Sequence, residues 1–472
     1  MVSEMLKNSI VYNLFASIGN WFSKQFNQSC LINRFLTEKA TAELPQKGLF
    51  SQIFASIVEL FKKLFSTLKL NKLLDGSIFK ATYLWCFMAV VFAPILPTMV
   101  VLALALVGFA SLAIRMFCDD LKLRHFPLNR FVLIYALIYF ISTFTSVNVK
   151  GSLLGGILTT AYILFYFVVI NSVETKKQLN FLTFCFVCFG IFIAMYGFYQ
   201  YLNPSKFSGS WVDKEMFSDI GFRVYSTLGN PNVLGEYLLL IIPFVVAFFF
   251  NTKGFLKKGF FFIVGCMLML CLILTYSRGC WLGILFAAVI FLILLDRRFI
   301  ILILIGLVIM PFILPETIIN RFMSIGNMSD SSTSYRFFIY MGTLSMLKDY
   351  WICGVGPGSA AFNMVYPSYA YDSITAPHSH NLFLQVMCDS GICGEIAFLA
   401  LIYRAYKTLF ISLKKAAEEN KIFIIGAISA LSGFFLQSMF DYTFYNYRVM
   451  LMFWVVLALA MLYSNVDKLR ED

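Results

Sequence analysis

Histidine and arginine side chains stand in short polar stretches between long apolar runs, and their types suit proton transfer and anion binding. His378 and His380 lie two residues apart in a chain that has only three histidines. A neutral imidazole can accept the proton of a hydroxyl group and so make that hydroxyl nucleophilic. Two histidines could also bind a metal, but no nearby Cys, Asp or Glu completes a familiar ligand spacing, so we predict none. A purely structural pair is the alternative.

Two arginines lie at positions that suit phosphate binding. Arg278 falls in the tight connection 275–281 between two apolar runs, and Arg336 follows the Ser/Thr-rich stretch 331–334. These Ser and Thr residues can cap a helix that begins near residue 333 and carries Arg336 in its first turns. A guanidinium fork matches phosphate oxygens, and a helix N-terminus attracts anions. The alternatives are an Arg278 that reaches lipid headgroups and a solvated Arg336.

The elements that position these residues must be membrane helices. The 472 residues are 60% hydrophobic and 13% charged, with a mean hydropathy of +0.79. That composition leaves too little polar sequence to cover a soluble globule. In lipid every backbone polar group must be paired internally, and the long continuous apolar runs favour helices over a barrel. The net charge of +12 is spread over short loops, a pattern that argues against nucleic-acid binding.

The apolar runs predict an all-α, polytopic integral membrane protein with about twelve transmembrane helices. A cytoplasmic N-terminus puts 28 of the 37 Lys and Arg residues on the cytoplasmic side, the asymmetry that orients membrane proteins. Both termini are then cytoplasmic, and a large extracytoplasmic loop, 316–381, precedes the last three helices. The predicted spans are 81–96, 98–116, 128–146, 152–171, 178–201, 232–251, 258–275, 279–295, 299–315, 382–404, 421–440 and 446–463.

Residues 1–80 differ from the remaining chain. They carry ten Lys and Arg residues and no apolar run long enough to span a membrane. Within them, 53–68 places apolar residues on one helical face and Lys62 and Lys63 on the other, which is typical of a helix at a membrane surface. Packing against another protein fits the same pattern. We therefore expect a cytoplasmic segment with an amphipathic interfacial helix, followed by a transmembrane domain, 81–466.

Four ordered motifs resemble the O-antigen ligase family, whose relatives include O-antigen polymerases and protein O-oligosaccharyltransferases. The resemblance covers roughly residues 80–463. The most specific element is the spacing of nine residues between His-Asn and Gly-x-x-Gly; the glycine loop alone is weak, and Pro357 makes a turn its better interpretation. The motifs are Gly229-Asn-Pro-Asn-Val-Leu-Gly235, Tyr276-Ser-Arg-Gly-Cys-Trp-Leu-Gly283, Gly354-Val-Gly-Pro-Gly358, and His380-Asn381 with Gly391-Ile-Cys-Gly394.

The resemblance implies a glycan ligase that needs no metal or other cofactor. Such an enzyme transfers a polysaccharide or oligosaccharide, with inversion, from an undecaprenyl-diphosphate carrier to an acceptor hydroxyl on a lipid, polymer or protein glycan. It works at the outer face of the bacterial cytoplasmic (inner) membrane. Arg278 and Arg336 match the arginines that hold the diphosphate, Arg223 is a weaker third, and His380 matches the catalytic base. The supporting residues are His378, Asn381 and Asn232.

Other functions fit parts of the same sequence. A polymerase that joins lipid-linked repeat units would carry much the same motifs. A membrane transporter or flippase would be expected to show internal repeats and paired charges within its spans, and neither is evident. A glycosyltransferase that uses a lipid monophosphate would carry acidic residues in the first outer loop, and 94–98 has none. Only the family spacing assigns the base to His380 rather than to His378.

Overall fold

A computed structural model describes residues 49–207, 221–313, 316–324, 326–327 and 330–470, together with Ser17. Helices joined by loops and short 3-10 turns make up this part of the chain, which confirms the predicted all-α class. The α-helices are α1 (Leu49–Thr67), α2 (Leu70–Leu73), α3 (Thr82–Phe92), α4 (Thr98–Cys118), α5 (Asn129–Phe144), α6 (Val149–Ser172), α7 (Lys176–Leu202), α8 (Pro231–Asn251), α9 (Phe255–Ile273), α10 (Arg278–Leu295), α11 (Ile300–Ile313), α12 (Glu316–Met323), α13 (Ser331–Tyr350), α14 (Ser359–Val365), α15 (Leu382–Lys415), α16 (Glu418–Ser438) and α17 (Tyr447–Tyr463).

The protein is a polytopic membrane protein. Within the described residues, eight helices are long and apolar enough to cross a membrane: α4, α6, α7, α8, α9, α10, α15 and α16. The helices α3, α5 and α17 are also apolar but shorter, with 11, 16 and 17 residues. Each predicted span coincides with one helix, including α11, because each continuous apolar run can pair its backbone only within itself.

Loops that alternate along the chain collect at two ends of the helical bundle. The connections after α3, α5, α7, α9 and α16 meet the segment between α11 and α15 at one end, which we call the site end. There, for example, Thr227 donates a hydrogen bond from its hydroxyl to the Pro94 carbonyl at 2.8 Å. At the opposite end, Arg115 pairs with Glu174 at 2.5 Å. Both contacts join loops that the predicted topology puts on the same side of the membrane.

Close helix packing fixes the geometry of the site end. The helix α17 runs through the centre of the bundle, and every residue from 449 to 463 is buried. Gly283 of α10 and Gly433 of α16 meet, and a Cβ on Gly283 would lie 2.8 Å from the Gly433 carbonyl oxygen. Small residues at such crossings let two membrane helices approach closely. This crossing holds the start of α10 beside the end of α16.

The glycine motif 354–358 forms bends that rest on a kink in α15. The kink is at Gly391, whose φ of 64° and ψ of −167° interrupt the helix. The Val355 N–H donates to the freed carbonyl of Cys388 at 2.6 Å. A Cβ on Gly391 would lie only 2.0 Å from the Ile352 carbonyl oxygen. The motif therefore serves as a turn, as predicted, and the kink fixes where the long loop returns to the membrane.

The predicted amphipathic helix at 53–68 is present as α1. One side of it packs on the transmembrane domain, where the Phe61 ring stacks on Phe117 with centroids 5.1 Å apart. Other apolar side chains remain open, and Leu60 is 65% exposed. The remainder of the predicted N-terminal segment, 1–48, lies outside the described residues.

We expect Gly391→Ala to destabilise the protein strongly, because the added Cβ meets backbone and the residue has a positive φ. The melting temperature in detergent, followed by fluorescence-detected size exclusion, should fall by at least about 5 °C. Gly265→Ala is the matched control, since its Cβ would meet Val245 at an ordinary 3.7 Å. Equal melting temperatures for the two variants would contradict this account of the kink.

Candidate active site

Four arginine side chains converge at the site end on a cavity of about 70 Å³. Arg223, Arg278 and Arg336 had been singled out from the sequence as anion-binding residues, and the fold brings all three together. Arg321 of α12 joins them. Burial, with the nearby charges of Arg321 and Arg336, lowers the pKa of Arg223 to about 9, so this guanidinium is still charged at neutral pH. The cavity is a concentrated positive charge that favours an anion.

Residues from distant parts of the chain hold Arg223 in place. Its Nε donates to the Thr275 carbonyl oxygen at 2.8 Å, which ties it to the connection that precedes α10. Its Nη2 donates to Asn232 Oδ1 at 3.0 Å, in the first turn of α8. Asn232, a predicted supporting residue, thus contacts an arginine of the cavity.

Arg278, the first residue of α10, forms a buried, bidentate ion pair with Asp330. Its Nη1 and Nη2 lie 2.9 and 2.7 Å from the two carboxylate oxygens, and Nη1 also bonds the Ser324 hydroxyl at 2.7 Å. Burial would raise the pKa of Asp330, but the hydrogen bonds and charge of Arg278 hold it below its ordinary value. In this arrangement the terminal nitrogens of Arg278 contact protein, while its side chain still lines the cavity.

Asp330 is also the residue that caps the helix carrying Arg336. Its carboxylate accepts from the Thr333 N–H at 3.0 Å, and α13 begins at Ser331. The prediction of a Ser or Thr cap near residue 333 was therefore wrong, since a nearby carboxylate competes successfully for the free N–H groups. Arg336 does lie in the first turns of the helix, as expected, and its Nη1 donates to Ser332 Oγ at 2.9 Å.

His380 forms a hydrogen-bonded pair with Asp441, which lies in the short connection between α16 and α17. The distance from His380 Nδ1 to Asp441 Oδ1 is 3.1 Å. Burial opposes ionisation of Asp441, but the hydrogen bond and charge of His380, together with Arg336, hold its pKa well below the usual range. An ionised carboxylate only accepts hydrogen bonds, so His380 Nδ1 carries the proton. In a neutral His380 the Nε2 lone pair is then the basic position.

The His378 ring contacts the His380 ring but carries its proton on the other nitrogen. The ring centroids are 4.2 Å apart, and His378 Nδ1 accepts the backbone N–H of His380 at 3.2 Å. Burial and the neighbouring His380 lower the pKa of His378 to about 3, so it is neutral near pH 7. With Nδ1 accepting, the proton of its ring is on Nε2.

Asp441 connects the histidine pair to the arginine cavity, and sequence reasoning missed it. Its Oδ2 accepts from Asn232 Nδ2 at 2.9 Å and lies 3.8 Å from Arg336 Nη2. The available signal was an acidic residue in a short loop on the same side as His380. The predicted supporting residue Asn381 contributes differently: it caps α15 and donates to the Met439 carbonyl at 2.9 Å, just before Asp441.

His378, His380 and Asp441 also form a group that could hold a metal ion. One potential ligand atom of each lies within 4.8 Å of the others. Two imidazoles and a carboxylate are a donor set found in catalytic zinc sites. The spacing of the two histidines gave no sign of this third donor, because Asp441 is 61 residues away in the chain.

The fold and the site define a polytopic membrane protein with an anion-attracting cavity joined to a His–Asp pair at one end of its bundle. Residues 260–399 match the family model described as O-antigen ligase. Residues 260–399 thus match an O-antigen ligase domain within a multi-pass membrane protein, and proteins of that family act on lipid-linked glycans in the bacterial inner membrane. The match includes Arg278, Arg336 and His380 but neither Arg223 nor Asp441. No curated protein matches the chain.

We expect Asp441→Asn to reduce glycan transfer by on the order of 100-fold or more, because an uncharged amide can donate as well as accept and so no longer fixes the tautomer and orientation of His380. Transfer should be measured with protein quantified after insertion into membranes. Asp467→Asn, an exposed residue at the opposite end, should leave the rate unchanged. A rate close to wild type for Asp441→Asn would mean that this carboxylate does not position His380.

The Arg278–Asp330 pair should behave as one unit in a double-mutant cycle. Removing either partner leaves a buried charge unpaired, which costs roughly 3 kcal/mol of stability, so the double variant should lose far less than the sum of the single variants. The exposed pair Arg298–Asp296, with its atoms 4.0 Å apart, is the control and should be additive. Stability should be measured by thermal unfolding. Additive stability losses for the Arg278 and Asp330 variants would contradict the pairing.

Proposed function

We propose that this protein is a glycan ligase that transfers a polysaccharide or oligosaccharide from an undecaprenyl-diphosphate carrier to an acceptor hydroxyl. Transfer of lipid-linked glycan at the membrane is what the ligases and polymerases of this family share. The observation that carries the ligase chemistry is the bridge formed by Asp441. It places a histidine with a free basic nitrogen next to a cavity built for an anion.

In the proposed mechanism the arginine cavity holds the diphosphate of the donor. The four arginines and the two carboxylates that pair with them, Asp330 and Asp441, leave a formal charge of +2, which balances the two negative charges of a diphosphate diester. The Nε of Arg336 is buried and has no hydrogen-bond partner among the described residues, so it has a donor to offer. Preorganised donors of this kind stabilise the charge that develops on a leaving group.

His380 is the proposed base. Its Nε2 would take the proton of the acceptor hydroxyl while the acceptor oxygen bonds to the anomeric carbon and the diphosphate leaves from the opposite face. Direct displacement of this kind inverts the anomeric centre. His378 is the weaker candidate, because its Nδ1 already accepts a hydrogen bond and burial lowers its pKa to about 3, which makes it a poor base. We propose that it supports His380, together with Asn381 and Asn232.

The proposed orientation puts the site end outside the cytoplasmic membrane. We propose twelve crossings, cytoplasmic termini, a transmembrane domain over 81–466 and an extracytoplasmic segment over 316–381. The bias of Lys and Arg towards the opposite end supports this orientation, and the contacts within each end support the alternation. The exposed apolar residues of α1 support a position at the cytoplasmic membrane surface for the segment 1–80.

The proposed reaction needs no metal, because the arginines supply the positive charge and His380 the base. Metal independence can be tested directly, because His378, His380 and Asp441 form a group that could hold a metal ion. Transfer by purified protein should persist after treatment with EDTA and should not rise when zinc is added.

The decisive experiment is a size profile of carrier-linked and transferred surface glycan in a deletion strain complemented with wild type, His380→Ala or Arg336→Ala. We expect both variants to leave long glycan chains on the lipid carrier and to transfer essentially none, a loss of at least about 1,000-fold. Arg130→Ala, at the opposite end, is the matched arginine control and should behave as wild type.

The alternatives give different profiles. Single repeat units stranded on the carrier would indicate a polymerase, the other activity that the family domain supports. An unchanged profile, with His380→Ala present in the membrane at wild-type amounts, would refute both glycan-transfer functions for this site.

A further inference from the structure

A second cavity lies next to His378 and shares no lining residue with the arginine cavity. Its volume is about 330 Å³, which is within the range of small-ligand pockets. It belongs to the site end, because its lining comes from the starts of α4 and α17, the glycine motif and the loops on either side of His378 and Tyr442. The lining includes Tyr139, His378, Gln385, Tyr442, Tyr445 and Arg448. We call it the tyrosine cavity.

The lining suits a neutral, polyhydroxylated ligand. Hydroxyl, amide and imidazole groups alternate with aromatic rings, and no carboxylate reaches the surface of the cavity. Asp389 is buried and accepts hydrogen bonds from the lining residues Tyr139 and Gln385 at 2.5 and 2.8 Å. Arg448, the only arginine of the lining, donates to the backbone carbonyls of Pro94 and Thr227. The lining itself therefore offers no carboxylate, and both terminal nitrogens of Arg448 already donate to protein.

Tyr445 forms an aromatic platform at the edge of this cavity. Its side chain is 52% exposed, and its ring centroid lies 4.6 Å from that of His378. An exposed tyrosine that packs against a buried imidazole keeps a fixed orientation with one surface open. A pyranose ring has C–H groups on its faces and hydroxyls at its edge, so it can stack on such a ring and bond the polar lining at the same time.

The His380–Asp441 pair joins the two cavities, each through a different member. On one side Asp441 contacts Arg336, which lines the arginine cavity. On the other side the His380 ring contacts His378, which lines the tyrosine cavity. An inverting displacement requires this order, because the acceptor attacks the anomeric carbon from the face opposite the leaving diphosphate and the base must stand beside the acceptor.

We propose that the tyrosine cavity binds the acceptor, as a sugar residue that stacks on Tyr445 and presents its hydroxyl to His380. This inference rests on the proposed glycan-transfer function and adds the class of acceptor group and its location. The acceptor hydroxyl loses its proton to His380 Nε2, its oxygen bonds to the anomeric carbon, and the bond from that carbon to the diphosphate breaks.

The test separates acceptor from donor dependence. Purified protein in nanodiscs receives carrier-linked glycan that has accumulated in the deletion strain. Membrane vesicles that hold the acceptor are then titrated in, and they come from a deletion strain that also cannot make the carrier-linked glycan. For Tyr445→Ala we expect the amount of vesicles at half-maximal rate to rise roughly tenfold, with the KM for the donor within twofold of wild type. Tyr371→Ala removes another exposed tyrosine of the long outer loop, and neither quantity should change.

Two outcomes would overturn the proposal. A rise in the KM for the donor alone would assign the tyrosine cavity to the donor sugar, and no change in either quantity would mean that Tyr445 contacts no substrate. A binding measurement that does not depend on activity distinguishes this failure from failure of the proposed function. Oligosaccharides released from the strain's acceptor fraction should give saturation-transfer NMR signals with wild type and with His380→Ala, and much weaker ones with Tyr445→Ala; equal signals for all three would refute the site.

Discussion

The buried carboxylate of Asp441 is the constraint on which the site depends. It accepts from His380 and Asn232 and lies against Arg336, so one side chain sets the position of the base, of a cavity arginine and of the first turn of α8. A charge buried this deeply persists only where several partners replace its lost hydration. The same partners that keep Asp441 ionised are therefore held by it, and neither set keeps its geometry alone.

The cost of burying charge in a membrane protein also explains why these arginines are paired with carboxylates. Four guanidinium groups around a cavity of about 70 Å³ repel one another, and the lowered pKa of Arg223 reflects that repulsion and its burial. Asp330 and Asp441 neutralise part of the charge without lining the cavity. The remaining positive charge attracts an anion. The pairing with carboxylates reduces the repulsion between the guanidinium groups.

The sequence predicted the helices well, because a long apolar run has only one way to satisfy its backbone in lipid. It also drew attention to Arg278, Arg336 and His380, which stand in short polar stretches between long apolar runs. It did not reveal Asp441, Asp330 or the tyrosine cavity. Their roles come from contacts between residues 52 to 250 positions apart, as in the hydrogen bond from Tyr139 to Asp389, and no local spacing encodes such contacts.

The site is assembled from two parts of the molecule that charged contacts join. The helical bundle supplies Arg278 and Asp441, whose relative position follows from the close crossing of α10 and α16. The segment between α11 and α15 supplies Asp330, Arg336 and His380. An anion that enters the arginine cavity competes with Asp330 and Asp441 for the same guanidinium groups, because each fork has a limited number of donors. The anion site and the contacts that attach this segment to the bundle therefore share the same guanidinium groups.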